Sequence, residues 1–110
     1  MTWPRRSKFG STFTEVDGIK FRSKREAVRY TELKLLQQAG QIVSLYLQPS
    51  FDLHAPETVR PIGRYVADFS YTDARNGEVI VEDVKGFKTP LYQWKKKHAE
   101  AEHGIQIREV

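Results

Sequence analysis

Cysteine is absent from the 110 residues, which excludes a disulfide framework and any thiolate zinc site. No apolar run approaches the roughly 18 residues of a membrane helix. The opening Met1-Thr-Trp-Pro-Arg-Arg-Ser-Lys8 is basic but lacks the apolar stretch of a secretory signal. A cytoplasmic protein with no membrane partner is therefore expected. There is no internal repeat, no low-complexity tract and no linker long enough to divide the chain, so one domain with one modest core is expected. Hydrophobic residues make up 39% of the chain and aromatics 12%, enough to separate it from disordered tails. The net charge of +4 permits a polyanionic partner without requiring one.

What is present reads as alternating strands and helices. Residues 1–10 form a basic arm carrying Arg5, Arg6 and Lys8. Asp17-Gly18 between two short alternating runs predicts a small β-ribbon. Ser23 followed three residues later by Glu26 is a capping box that opens a helix. Ala27, Tyr30, Leu33, Leu35 and Leu36 give that helix an apolar stripe, and Gly40 suits its C′ position. Ile42–Gln48 reads as a strand ended by Pro49, and Phe51–His54 as a continuation of the sheet. Thr89-Pro90 opens a second helix, with threonine at the N-cap and proline at N1. That helix ends at Gly104, and a closing strand follows.

Between the helices, two strand-like stretches flank Asn76-Gly77, the strongest short signal for a two-residue type I′ hairpin. With those two residues as the loop, Arg75 faces Glu78, Asp68 faces Lys85 and Ser70 faces Asp83. Side chains alternate along a strand, so Asp68, Asp83 and Lys85 are expected to project together. Ala67, Phe69, Tyr71, Ile80 and Val84 then read as core. Two acids and a lysine gathered on a sheet suit a hard divalent cation.

Asp68, then Asp83-Val84-Lys85 after fourteen intervening residues, resembles the active-site signature of the PD-(D/E)XK nuclease superfamily. That superfamily includes restriction endonucleases, archaeal-type Holliday junction resolvases and the transposon end-cleaving endonuclease. The whole chain is similar to small phage and prophage proteins of the group. Ser23 to Glu26, Gly40 to Ile42, Gln48-Pro49, Asp68-Phe69 and Glu82-Asp83-Val84-Lys85-Gly86 carry the likeness, while Ala67 stands where the signature has proline. The resemblance implies an α/β fold with a restriction-endonuclease-like core of helix, three-stranded sheet, helix and strand. A short β-ribbon precedes it, and the nuclease domain spans residues 11–110. It further implies a Mg²⁺-dependent DNA endonuclease, with Mn²⁺ as substitute, acting in the host cytoplasm. Branched or junction DNA is the expected substrate, and a homodimer is expected for cutting both strands.

In that scheme Asp68, Asp83 and the Val84 carbonyl hold the metal. Lys85 serves the attacking water, and Glu26 assists, as catalytic acid or added ligand. Gln48, Ser70 and Glu82 stand close behind, Glu82 on the opposite face beside Tyr71. Lys88, Lys95 and Lys96 on the second helix, with Arg5, Arg6 and Lys8, are the candidate DNA contacts. His98 and His103 lack zinc-site spacing. Two other functions fit the same residues: a non-catalytic nucleic-acid-binding module, and a nuclease acting on RNA.

Overall fold

The structure, a computed structural model, describes residues 13–84 and 88–110. They form a mixed α/β domain. β1 (Thr14–Val16) and β2 (Ile19–Phe21) make a ribbon of their own, followed by α1 (Lys24–Gln38). Then come β3 (Ile42–Leu47), β4 (Ser50–Leu53), β5 (Gly63–Val66), β6 (Phe69–Asp73), β7 (Val79–Asp83), α2 (Pro90–His103) and β8 (Ile107–Glu109). The main sheet has the order β3-β6-β7-β8; its first two pairings are antiparallel, and β7 and β8 are parallel. The parallel pair is possible because α2 supplies the long crossover such a pairing requires.

Local signals set the helix ends. The Ser23 hydroxyl accepts the Glu26 N–H at 3.1 Å, and the Thr89 hydroxyl accepts the Tyr92 N–H at 3.0 Å. Gly104 ends α2 in the left-handed conformation that glycine adopts without steric cost. The Asp17-Gly18 turn is the expected two-residue loop, with Val16 paired to Ile19 and both turn residues at positive φ.

Each sheet face is covered by one helix. Phe69, Tyr71 and Ile80 pack with Ala27, Tyr30 and Leu33 of α1. Val81 and Ile107 pack with Ala99 of α2 and with Leu53, Tyr65 and Ala67. The expected extension of the sheet through 51–54 does not occur. β4 pairs with β5 as a separate ribbon, Phe51 opposite Tyr65, and lies against α2. Glu102 of α2 fastens it, accepting the His54 N–H at 2.7 Å and meeting the His54 ring at 2.6 Å.

The central hairpin departs from the expected register. Thr72 faces Val79 and Phe69 faces Glu82, so the pairing is displaced by two residues. The loop holds four residues rather than two, because Asp73 organises it. The Asp73 carboxylate accepts the Arg75 N–H at 2.9 Å and its guanidinium at 2.9 Å, while the Gly77 N–H reaches the Asp73 carbonyl at 2.8 Å. An aspartate that closes an Asx turn outcompetes the Asn-Gly turn. A shift of two preserves the faces. Ser70 therefore faces Val81 rather than Asp83; the pairing expected for Asp68 with Lys85 involves a residue outside the described ones.

Glu82 is fully buried on the α1 face. The Arg29 guanidinium donates to both its oxygens, at 2.8 and 2.6 Å, and the Tyr71 hydroxyl donates to it as well. Glu82 holds the Arg29 guanidinium well above its ordinary value, and burial first, then Glu82, pushes the Tyr71 hydroxyl up to about 12. Arg29→Ala leaves a buried carboxylate without its cation and should cost about 3 kcal/mol or more, read from the urea midpoint. The double variant Arg29→Met/Glu82→Leu should recover a large part of that loss. A single variant as stable as wild type would show that the pair does not anchor α1.

Candidate functional site

A cavity of about 270 Å³ opens between the β1–β2 ribbon, the start of α1 and the adjoining ends of β3 and β6. Glu26, Gln48 and Asp68 line it together with Phe13, Lys20 and Arg22. Glu26 arrives there because the Ser23 cap fixes the first turn of α1. Gln48 sits at the end of β3 with φ of 51°, a left-handed conformation that non-glycine residues seldom hold, and its N–H donates to the Asp68 carbonyl at 2.9 Å. That bond draws two of the expected site residues against each other.

Asp68 lies at a bend just outside β6. Its N–H donates to the Glu82 carbonyl at 3.0 Å, and its Oδ2 accepts the Val84 N–H at 2.7 Å. The carboxylate thereby holds the end of β7, one residue before Lys85. Lys85 and Gly86 lie outside the described residues, as do Arg5, Arg6 and Lys8.

Asp83 follows a different course. It is 1% exposed, on the α2 side, and its carboxylate accepts the Tyr65 hydroxyl. Tyr92 stands near it and donates to Glu109 at 2.8 Å; burial first, then that bond and the Asp83 charge, drive its hydroxyl far above the usual range. Asp68 and Asp83 were expected to project together. The Asp68 carboxylate meets the Val84 N–H and lines the cavity, and the Asp83 carboxylate meets the Tyr65 hydroxyl. Among the described residues no three His, Asp or Glu side chains are grouped to hold one ion. The oxygens of Glu26, Asp68 and Gln48 are nevertheless hard donors, and Mg²⁺ commonly binds through one or two carboxylates with water completing its shell. The donor set in the cavity fits such an ion.

The remaining expected residues lie elsewhere. Ser70 is half-buried opposite Val81. Lys88 pairs with Glu109 at 2.8 Å and Lys96 lies 3.9 Å from it, in a recess with Gln93 and Lys97 that is separate from the Glu26–Asp68 cavity. Lys95 lies on the same helix, partly buried. The histidines surround Glu102 rather than one another. Sequence reasoning missed Lys20, Arg22 and Phe13 as cavity residues, and Arg29 and Tyr65 as partners of the acidic strand. Arg29 offered a signal, one helical turn after Glu26 on the same face; the others offered none, since each depends on how separate elements meet.

Fold and site together define a small mixed α/β domain with an oxygen-rich, cation-rimmed cavity at one end of its main sheet. A family profile described as "Protein of unknown function (DUF1064)" matches residues 6–109, and the chain belongs to that family. No curated protein and no solved structure matches it. No helix among the described residues is long and apolar enough to cross a membrane.

Three carboxylates have their proton affinity lowered by partners: Glu102 by the His54 backbone and ring, Glu109 by Lys88 and Tyr92, and Asp73 by Arg75 within its own turn. Their folded values lie below the ordinary 4.5 for glutamate and 3.8 for aspartate. The stability each contributes is thus present above those ordinary values and lost as pH falls through the depressed folded ones. The denaturation midpoint should therefore be steady down to the ordinary carboxylate range and fall below it. Glu102→Gln should lower the midpoint near neutrality and flatten the acid decline. A decline as steep as wild type would remove Glu102 from the account.

Proposed function

We propose that the chain is a metal-dependent nuclease that hydrolyses phosphodiester bonds in DNA, with a restriction-endonuclease-like core and its reaction centre at the Glu26–Gln48–Asp68 cavity. The observation that carries this reading is the Asp68 carboxylate, which lines the cavity and grips the Val84 backbone at the end of the Asp83-Val84 strand. The order α1, β3, β6, β7, α2, β8 also agrees with the core that the sequence resemblance implies. Glu26 and Asp68 would hold Mg²⁺, or Mn²⁺ in its place, with the Gln48 amide oxygen beside them. When bound, that ion offsets phosphate charge and makes bound water more acidic. Asp68 is oriented for this by the Val84 N–H, which its Oδ2 accepts. Glu26 is placed beside it by the capped first turn of α1. Lys85, next after Val84, would orient the attacking water and take or stabilise its proton at Nζ.

One observation favours a second reading, a DNA-binding module without catalysis: Asp83 is buried and engaged by Tyr65. The full chain incubated with plasmid, single-stranded and four-way-junction DNA decides between them. The expected result is cutting in Mg²⁺ or Mn²⁺ and none in EDTA. Asp68→Ala, Glu26→Ala and Lys85→Ala should each slow cutting about a hundredfold or more while DNA binding persists. Asp83→Asn separates a site role from a structural one. Full activity with lowered stability would take Asp83 out of the chemistry; lost activity with unchanged stability would keep it there. Binding without cutting under every metal and substrate would overturn the nuclease and leave the module.

A further inference from the structure

The β1–β2 ribbon is fastened to α1 but pairs with no other strand among the described residues. Tyr30 donates to the Asp17 carboxylate at 2.9 Å, and the Phe21 and Tyr30 rings lie 5.1 Å apart. Phe21 is turned inward and 4% exposed, and alternation turns Lys20 outward, opposite Glu15. Phe13 and Arg22, just beyond the paired residues, are both exposed. The outward face of the ribbon thus carries Phe13, Arg22 and Lys20, with Glu15 the one acid among them. Phe13, Lys20 and Arg22 all line the cavity that holds Glu26 and Asp68.

This combination is chemically specific. An exposed phenylalanine alone means little, and Phe13 is 70% exposed. Beside two cations at the rim of a cavity with hard oxygen donors, it forms a stacking surface with phosphate contacts on its flank. Neither Lys20 nor Arg22 has an ion-pair partner among the described residues, whereas Lys88 and Lys96 are drawn to Glu109. The cavity, about 270 Å³, is on the scale of one nucleotide and not of a duplex. Aromatic stacking of a base needs that base out of its pair, and flanking cations add sequence-independent, salt-dependent affinity.

We infer that the β1–β2 ribbon is a wall for one unpaired nucleotide of DNA, its base stacked on Phe13 and its neighbouring phosphates held by Lys20 and Arg22. The inference rests on the DNA reading of the cavity but makes a separate demand: the substrate must present an unpaired base there. Its test is binding, not cutting. Fluorescence anisotropy in EDTA compares a labelled blunt duplex with the same duplex carrying a single-stranded overhang, using the full chain. The overhang should bind more tightly. Phe13→Ala should weaken overhang binding about tenfold with little change for the blunt duplex, and Phe13→Trp should restore it. Lys20→Ala/Arg22→Ala should weaken overhang binding and reduce the slope of log affinity against log salt by about 1.4, for two lost contacts to a single strand. Unchanged thermal midpoints keep these effects apart from misfolding, since all three side chains face outward. An overhang preference that survives Phe13→Ala, or a salt slope untouched by the double variant, would overturn the wall. If the overhang effects appear in a protein that cuts nothing, the wall stands and the nuclease falls; if the protein cuts DNA but Phe13→Ala changes no preference, the wall alone falls.

Discussion

A carboxylate with no access to water must be met inside the fold by a cation and further donors. Glu82 is that carboxylate, and the Arg29 fork with the Tyr71 hydroxyl is what the fold brings. The pairing joins α1 to the central strand of the main sheet. It also settles which way β7 faces. With Glu82 held toward α1, its successor must turn to the other face, so Asp83 goes to Tyr65 under α2. Val84 then returns to the α1 core and presents its N–H to Asp68. A slip of one residue in β7 would turn Asp83 to the α1 face and carry Glu82 away from Arg29 to the α2 face, so the ion pair acts as a register lock.

The cavity depends on that lock from one side and on the ribbon from the other. Asp68 is aimed by the strand end, Glu26 by the capped start of α1, and Gln48 by a left-handed residue at the close of β3. Three different local devices converge on one space, each satisfied by hydrogen bonds of its own. That is the kind of support a binding or catalytic arrangement needs, because it leaves few ways for the side chains to drift. The lysines of α2 belong to a different surface, organised around Glu109.

Much of the fold was legible from residue order. Ser23, Thr89-Pro90 and Gly104 marked helix ends because capping is a contest between a side chain and the backbone within a few residues. Asp17-Gly18 marked a turn for the same reason. The hairpin at Asn76-Gly77 was legible as a hairpin but not in register, since Asp73 and Arg75 close a larger loop than the dipeptide alone would. The faces survived because the displacement was even. β4 and β5 were harder: their pairing with each other, rather than with the main sheet, depends on α2 packing against them.

Local composition by itself determined the helices, the turns and the inward Ala27, Tyr30 and Leu33 of α1, because those signals act over one or two turns of chain; Glu26, Gln48 and Asp68 became residues of interest through the family resemblance. Tertiary structure alone decided that these three share a cavity and that Asp83 is enclosed by Tyr65. It also decided that Glu82 is the buried partner of Arg29, and that the ribbon brings Phe13, Lys20 and Arg22 to the rim. Each of these is a meeting of residues far apart in sequence. Such meetings are set by how two helices and a sheet exclude water from their apolar faces, a condition that no short window of residues contains.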